Sequence, residues 1–162
     1  MKKVLMIVCI LLSLSGCTSD EGINNRIIVD KININSEYSL VGLNDEVIGI
    51  VMYDECGRPN IEGSNTVIGA HSGIGNNALF NDISKLERGD EITIIYDNYS
   101  YIYVVNDIRI ISDTDIDVLK NNGKSILTLL TCKFGEVDKR IIVVSELMVD
   151  LWHNVSYNLI GR

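Results

Sequence analysis

Along most of this chain the apolar residues come in short runs rich in Ile, Val, Tyr and Thr, broken by Gly, Asn and Asp. Short β-branched and aromatic runs bounded by turn residues read as strands, because such side chains fit a pleated, half-buried surface. The pattern predicts strands at 26–34, 46–53, 66–70, 90–96, 100–106, 107–111, 125–131 and 139–148. Between two of these, Asp97-Asn98 separates runs of Ile and Tyr, the signature of a tight hairpin. Two stretches read as short helices: 78–86, ended near Gly89, and 113–120, opened by Ser112 or Asp113 as a cap. About eight strands with one or two short helices predict an all-β domain, a sandwich or a closed barrel. Closure has the advantage of leaving no exposed sheet edge.

The N-terminus follows a different pattern. Lys2 and Lys3 precede an unbroken apolar run from Val4 to Leu12, then Ser13-Leu14-Ser15-Gly16-Cys17. A bilayer span needs roughly 20 apolar residues, so this run is too short and has the proportions of a signal-peptide core. Leu14-Ser15-Gly16-Cys17 resembles a bacterial lipobox, which makes Cys17 the expected lipidation site; the alternative is an ordinary secretory signal. The expected division is a signal peptide at 1–16, a polar spacer at 17–25, a catalytic-size domain at 26–149 and a tail at 150–162. Cys9 goes with the signal and Cys17 to the lipid, leaving Cys56 and Cys132 in the domain. Two cysteines make no disulfide framework, so a working thiol is expected.

Composition narrows the function. With 162 residues, 46% hydrophobic, 13 Gly and one Pro, the chain suits one well-packed domain. The net charge of −8, with no basic stripe, excludes nucleic-acid binding as a reading, since phosphate contacts dominate such affinity. No His, Cys and carboxylate group has metal-ligand spacing, and pairs such as Asp54/Glu55 and Asp113/Asp115 read as solvated faces. No metal or cofactor is expected.

The chemistry concentrates near the C-terminus. Cys132 ends one predicted strand, and Arg140 opens the next. If the two strands pair, thiol and guanidinium meet at one rim of the sheet. A thiolate attacking an amide creates an oxyanion, which a planar, permanently charged guanidinium stabilises better than Lys would. A proton carrier is then needed, and the chain has two histidines, His71 and His153. His71 follows the strand at 66–70 in a small-residue turn, whereas His153 lies past the last predicted strand; the first is preferred. Cys56 reads as an unpaired loop thiol, with a redox partnership to Cys132 left open.

Thr128-Leu129-Leu130-Thr131-Cys132, with Arg140 after it, is similar to the T-L-x-T-C motif of the sortase family. Gly63-Ser-Asn-Thr-Val-Ile-Gly-Ala-His71 and Ala78-Leu-Phe-Asn-Asp-Ile-Ser-Lys-Leu-Glu-Arg-Gly-Asp-Glu-Ile92 resemble two further stretches of that family. The order Gly69-Ala70 before the histidine is reversed from the usual Ala-Gly, and Ser72 stands where Arg or Asn is common. The resemblance implies a closed eight-stranded β-barrel and a cysteine transpeptidase with Cys132 as nucleophile, His71 as acid/base and Arg140 on the oxyanion. It also implies Thr131 near the substrate, an L-P-x-T-G-like sorting signal in secreted proteins as donor, and a cell-wall or pilin amine as acceptor. The expected location is the outer face of the cell membrane, held there by the Cys17 lipid. A hydrolytic cysteine peptidase and a non-catalytic surface lipoprotein are the alternatives. An apolar groove beside Cys132, lined by the segments 106–124 and 133–139, is the expected binding surface.

Overall fold

The Ile- and Val-rich runs do become strands in the computed structural model of the chain, which describes residues 25–151. The elements are β1 (Arg26–Val29), β2 (Ile34–Glu37), β3 (Ser39–Val41), β4 (Ile50–Tyr53), β5 (Asn65–Ala70), β6 (Glu91–Tyr96), β7 (Tyr99–Ser112), β8 (Ile126–Lys133) and β9 (Glu136–Leu151). They form one sheet in the order β2-β1-β6-β7-β9-β8-β5-β4-β3. The two edge strands, β2 and β3, are separated in the chain by Tyr38 alone, so the sheet must curl until its edges approach. The result is a nearly closed all-β barrel of nine strands, where eight were expected. Tyr38 is buried at this seam, and its hydroxyl donates to the carbonyl of Ile95 at 3.0 Å.

Several boundaries differ from the expected ones for identifiable reasons. The run 26–34 is not one strand: a 3₁₀ turn at Asp30–Ile32 ends with Asn33 at φ 55°, and the chain reverses into β2. Asn tolerates the left-handed region better than most residues, so it can turn a hairpin inside an apolar run. Gly49, at φ 72°, delays β4 to Ile50. The stretches 100–106 and 107–111 are one strand, β7, joined across a register shift between Val105 and Asp107. Polar Asn106-Asp107 looks like a break, but a bulge absorbs one extra residue and lets the ladder continue. The hairpin at Asp97-Asn98 forms as read, with both residues at positive φ.

Neither expected helix is an α-helix. The first reduces to a 3₁₀ turn at Ile83–Lys85, and the second to one at Ile116–Leu119. In the first, Phe80, Ile83 and Leu86 are all buried, a three-residue spacing that matches a 3₁₀ turn and not a 3.6-residue helix.

Side-chain alternation then fixes what faces where. On β8, Leu127 and Leu129 join the barrel core with Ile68, Met52 and Val143. Thr128, Leu130 and Cys132 therefore point outward. On the paired β9, Arg140 shares that outer face through its register with Cys132. No helix among the described residues is long and apolar enough to cross a membrane.

Candidate active site

β8 and β9 form an antiparallel hairpin in which Cys132 lies directly opposite Arg140. The register shifts immediately after this pair, where the chain turns through Phe134 and Gly135. Cys132 is thus the last regularly paired residue of β8, and its thiol is exposed. Arg140 is only partly exposed, and its Nη1 donates to the carbonyls of Val137 at 2.9 Å and Lys139 at 3.0 Å. Its Nη2 lies 3.8 Å from the Asp113 carboxylate. Asp113, read from sequence as part of a solvated face, is therefore an ion-pair partner of Arg140.

His71 reaches the same rim from the other side of β8. β5 and β8 run parallel with Gly69 opposite Leu130, so β5 ends beside the part of β8 that leads to Cys132, and His71 is the first residue after β5. Three contacts hold the turn after β5. The Phe80 amide donates to the carbonyl of His71 at 3.1 Å. Asn81 makes a two-way pairing with the Gly73 backbone at 2.7 and 3.0 Å. The Ser72 hydroxyl donates to the carbonyl of Cys132, tying the histidine turn to the cysteine strand. The imidazole is exposed, and its Nε2 sits 2.9 Å from the carbonyl of Val47. A carbonyl only accepts, so Nε2 carries the hydrogen, and Nδ1 of the neutral ring is the free acceptor.

Thr131 has a different role from the one expected. Its side chain points into the barrel, is 3% exposed, and donates to the carbonyl of Ala70 at 2.7 Å. It braces the end of β5 against β8 and offers no surface to a substrate. Cys56 is a free, half-buried thiol, pushed up in pKa by burial and by the neighbouring Glu55 charge. Cys132 is also free, so the two do not form a disulfide in this structure. Cys17 and His153 lie outside the described residues.

Asn65 and Thr128, which sequence reading met only as motif letters, have a clear structural use. The Thr128 hydroxyl donates to Asn65 Oδ1 at 2.9 Å, and Asn65 Nδ2 donates to the carbonyl of Val118 at 2.8 Å. The Asn65 amide in turn donates to Asn121 Oδ1 at 2.7 Å. This chain of bonds pins the 113–124 segment over the outer face, which explains why Thr128 is fully buried there. Between that segment and the sheet is a cavity of about 410 Å³, lined by Arg109, Ile111, Ile126, Thr128 and Val144 among others. It shares the outer face with Cys132 but does not reach it, and Asp115, Asp117 and Lys120 make its rim charged. Residues 106–112 of the expected groove wall belong to β7.

A cationic donor opposite an exposed thiol, with an imidazole one strand away, can perform acyl transfer through a thioester. Comparison with known proteins agrees. A family profile described as the sortase domain matches residues 27–148. The chain is 35% identical over 78 residues to the sortase-like protein YwpE of Bacillus subtilis, covering 48% of this chain and 76% of that one. It is 36% identical over 70 residues to sortase A of Listeria monocytogenes, 43% of this chain but only 32% of the relative. Among solved structures it is similar to a sortase D5 transpeptidase of Clostridium perfringens, with a TM-score of 0.69 and 29% identity over 78% and 79% of the two chains. A sortase C of the same organism, solved with a C-terminal cell wall sorting motif, gives a TM-score of 0.70 and 30% identity over 78% and 71%. The chain belongs to the sortase family.

Proposed function

We propose that this chain is a cysteine transpeptidase acting on sorting signals of secreted proteins, with Cys132, His71 and Arg140 as its reacting groups. The observation that carries the reading is the cross-strand pair of exposed Cys132 with Arg140, beside the end of β5 that delivers His71.

In the first half-reaction Cys132 gives its thiol proton to His71, and the resulting thiolate attacks the carbonyl of a Thr–Gly-type bond. Arg140 donates to the developing oxyanion from an N–H that the two hairpin carbonyls holding Nη1 do not take. The C–N bond then breaks as His71 gives its proton to the departing amine, leaving a thioester on Cys132. In the second half-reaction an acceptor amine loses a proton to His71 and attacks the thioester, forming a new amide and releasing the thiolate. Nδ1, the imidazole nitrogen not engaged by Val47, exchanges these protons. The acceptor is a cell-surface amine of peptidoglycan or of a pilin lysine, and attachment to the outer face of the membrane runs through a lipid on Cys17.

The test is partitioning. A sorting-signal peptide is incubated with the protein, with and without a primary amine such as triglycine, and the products are identified by mass spectrometry. A product joined to the amine, growing with amine concentration at the expense of free acid, is the expected result. A free acid whose yield the amine does not change makes the protein a hydrolytic peptidase.

A further inference from the structure

The reversed Gly69-Ala70 order before His71 has a physical counterpart on the outer face. A side-chain carbon added to Gly69 would stand 2.9 Å from both Cε2 and Oη of Tyr53, a separation no real methyl group tolerates. The Tyr53 ring therefore occupies the volume that any other residue at position 69 would fill. Both residues belong to the outer face: Met52 and Ile68 point into the core, which turns Tyr53 and Gly69 outward. Tyr53 itself is half-buried and lies at the end of β4.

This places a phenol beside the reaction centre. Gly69 pairs with Leu130, and Cys132 is two residues further along β8. One strand crossing of about 4.8 Å and a two-residue step of about 6.6 Å put the ring on the order of 8 Å from Cys132. The phenol is raised in pKa, first by burial and then by Cys56 and Cys132, so it stays a neutral donor. A peptide whose carbonyl sits at Cys132 and whose chain runs along the outer face toward β4 has to pass over this ring.

We propose that Tyr53 is a specificity-determining residue of this chain. Its ring, seated on Gly69, limits the size of the peptide side chain that lies beside Cys132 on the acyl side, and its hydroxyl gives that peptide a hydrogen bond. The proposal rests on the transpeptidase reading above. Gly69 and Tyr53 act as one unit: the glycine exists to admit the ring, and the ring sets the pocket.

The test uses the full chain and sorting-signal peptides in which each residue on the acyl side of the scissile bond is changed in turn to Ala, Leu or Phe. Formation of the Cys132 thioester is followed by mass spectrometry, and kcat and KM are measured for each peptide. At one peptide position, Tyr53→Ala is expected to shift the Leu-to-Ala preference toward Leu by about 10-fold or more, the range a pocket gains or loses per methylene or two. Tyr53→Phe keeps the size preference and raises KM for all peptides, which a ring acting only as packing would not do. Gly69→Ala changes the profile in the presence of Tyr53, and much less when combined with Tyr53→Ala, because the two positions are coupled. Unchanged size preference in Tyr53→Ala at every peptide position overturns the proposal while leaving the transpeptidase reading intact. A wild-type protein that forms no thioester with any of the peptides overturns both.

Discussion

Cys132 stands where β8 stops being regular, and that position sets its chemistry: the backbone is still held by pairing with Arg140, while the side chain is free of the core. Arg140 is fixed from three sides, by two hairpin carbonyls and by Asp113. That arrangement uses the geometry of a guanidinium, which a single ammonium cannot reproduce. Arg140→Lys is accordingly expected to lower kcat/KM for peptide cleavage on the order of 100-fold, with most of the loss in kcat. A steady-state measurement showing wild-type kcat would remove the guanidinium from the oxyanion. At this scale the positions of Cys132 and Arg140 on paired strands, and of His71 just past β5, were legible in sequence, because strand ends are read without detailed knowledge of loops. Asp113, Val47 and Tyr53 were not legible. Each reaches the site from an element distant in sequence, through loop conformation or a missing side chain at Gly69, neither of which leaves a periodic trace. Thr131, expected near the substrate, is buried on the inner face, because residues adjacent in a strand point to opposite sides.

Between elements, the decisive contact is the pinning of the 113–124 segment by Asn65 and Thr128. The segment's own regular structure is the short 3₁₀ turn at Ile116–Leu119. Asn65→Ala removes bonds to Val118 and Thr128 together. Losing a buried hydrogen bond costs about 1–3 kcal/mol, enough to raise local opening by ~5- to 150-fold. Amide hydrogen exchange across residues 115–121 should quicken by that factor in the variant, whereas unchanged protection would show that the segment is held by other contacts. The strands were largely readable because β-branched runs bounded by Gly, Asn and Asp leave little choice, as at β5, β6 and the Asp97-Asn98 turn. What resisted reading was the conformation of single polar residues: Asn33 turning a hairpin inside an apolar run, and Asn106 entering a bulge. The expected helix at 78–86 is instead a 3₁₀ turn packed near β9, with Phe80, Ile83 and Leu86 buried at three-residue spacing.

The whole molecule brings its chemistry to one rim. Curling nine strands until β2 and β3 approach through Tyr38 leaves the outer face of β8 and β9 to carry the thiol and guanidinium, with His71 in the turn after the neighbouring β5. The expected lipid on Cys17 would hold this barrel at a membrane surface within reach of secreted substrates. In cells fed an alkyne fatty acid, wild-type protein should be labelled and Cys17→Ala unlabelled; equal labelling would place the lipid elsewhere, and no labelling of either would remove it. The central claim is that the exposed thiol opposite Arg140 is the nucleophile. It is tested most directly by intact-mass spectrometry after mixing the protein with a sorting-signal peptide. Wild-type protein should gain the mass of the peptide's acyl fragment, on the tryptic fragment containing Cys132, and Cys132→Ala should gain nothing; the same adduct on Cys132→Ala would contradict the account.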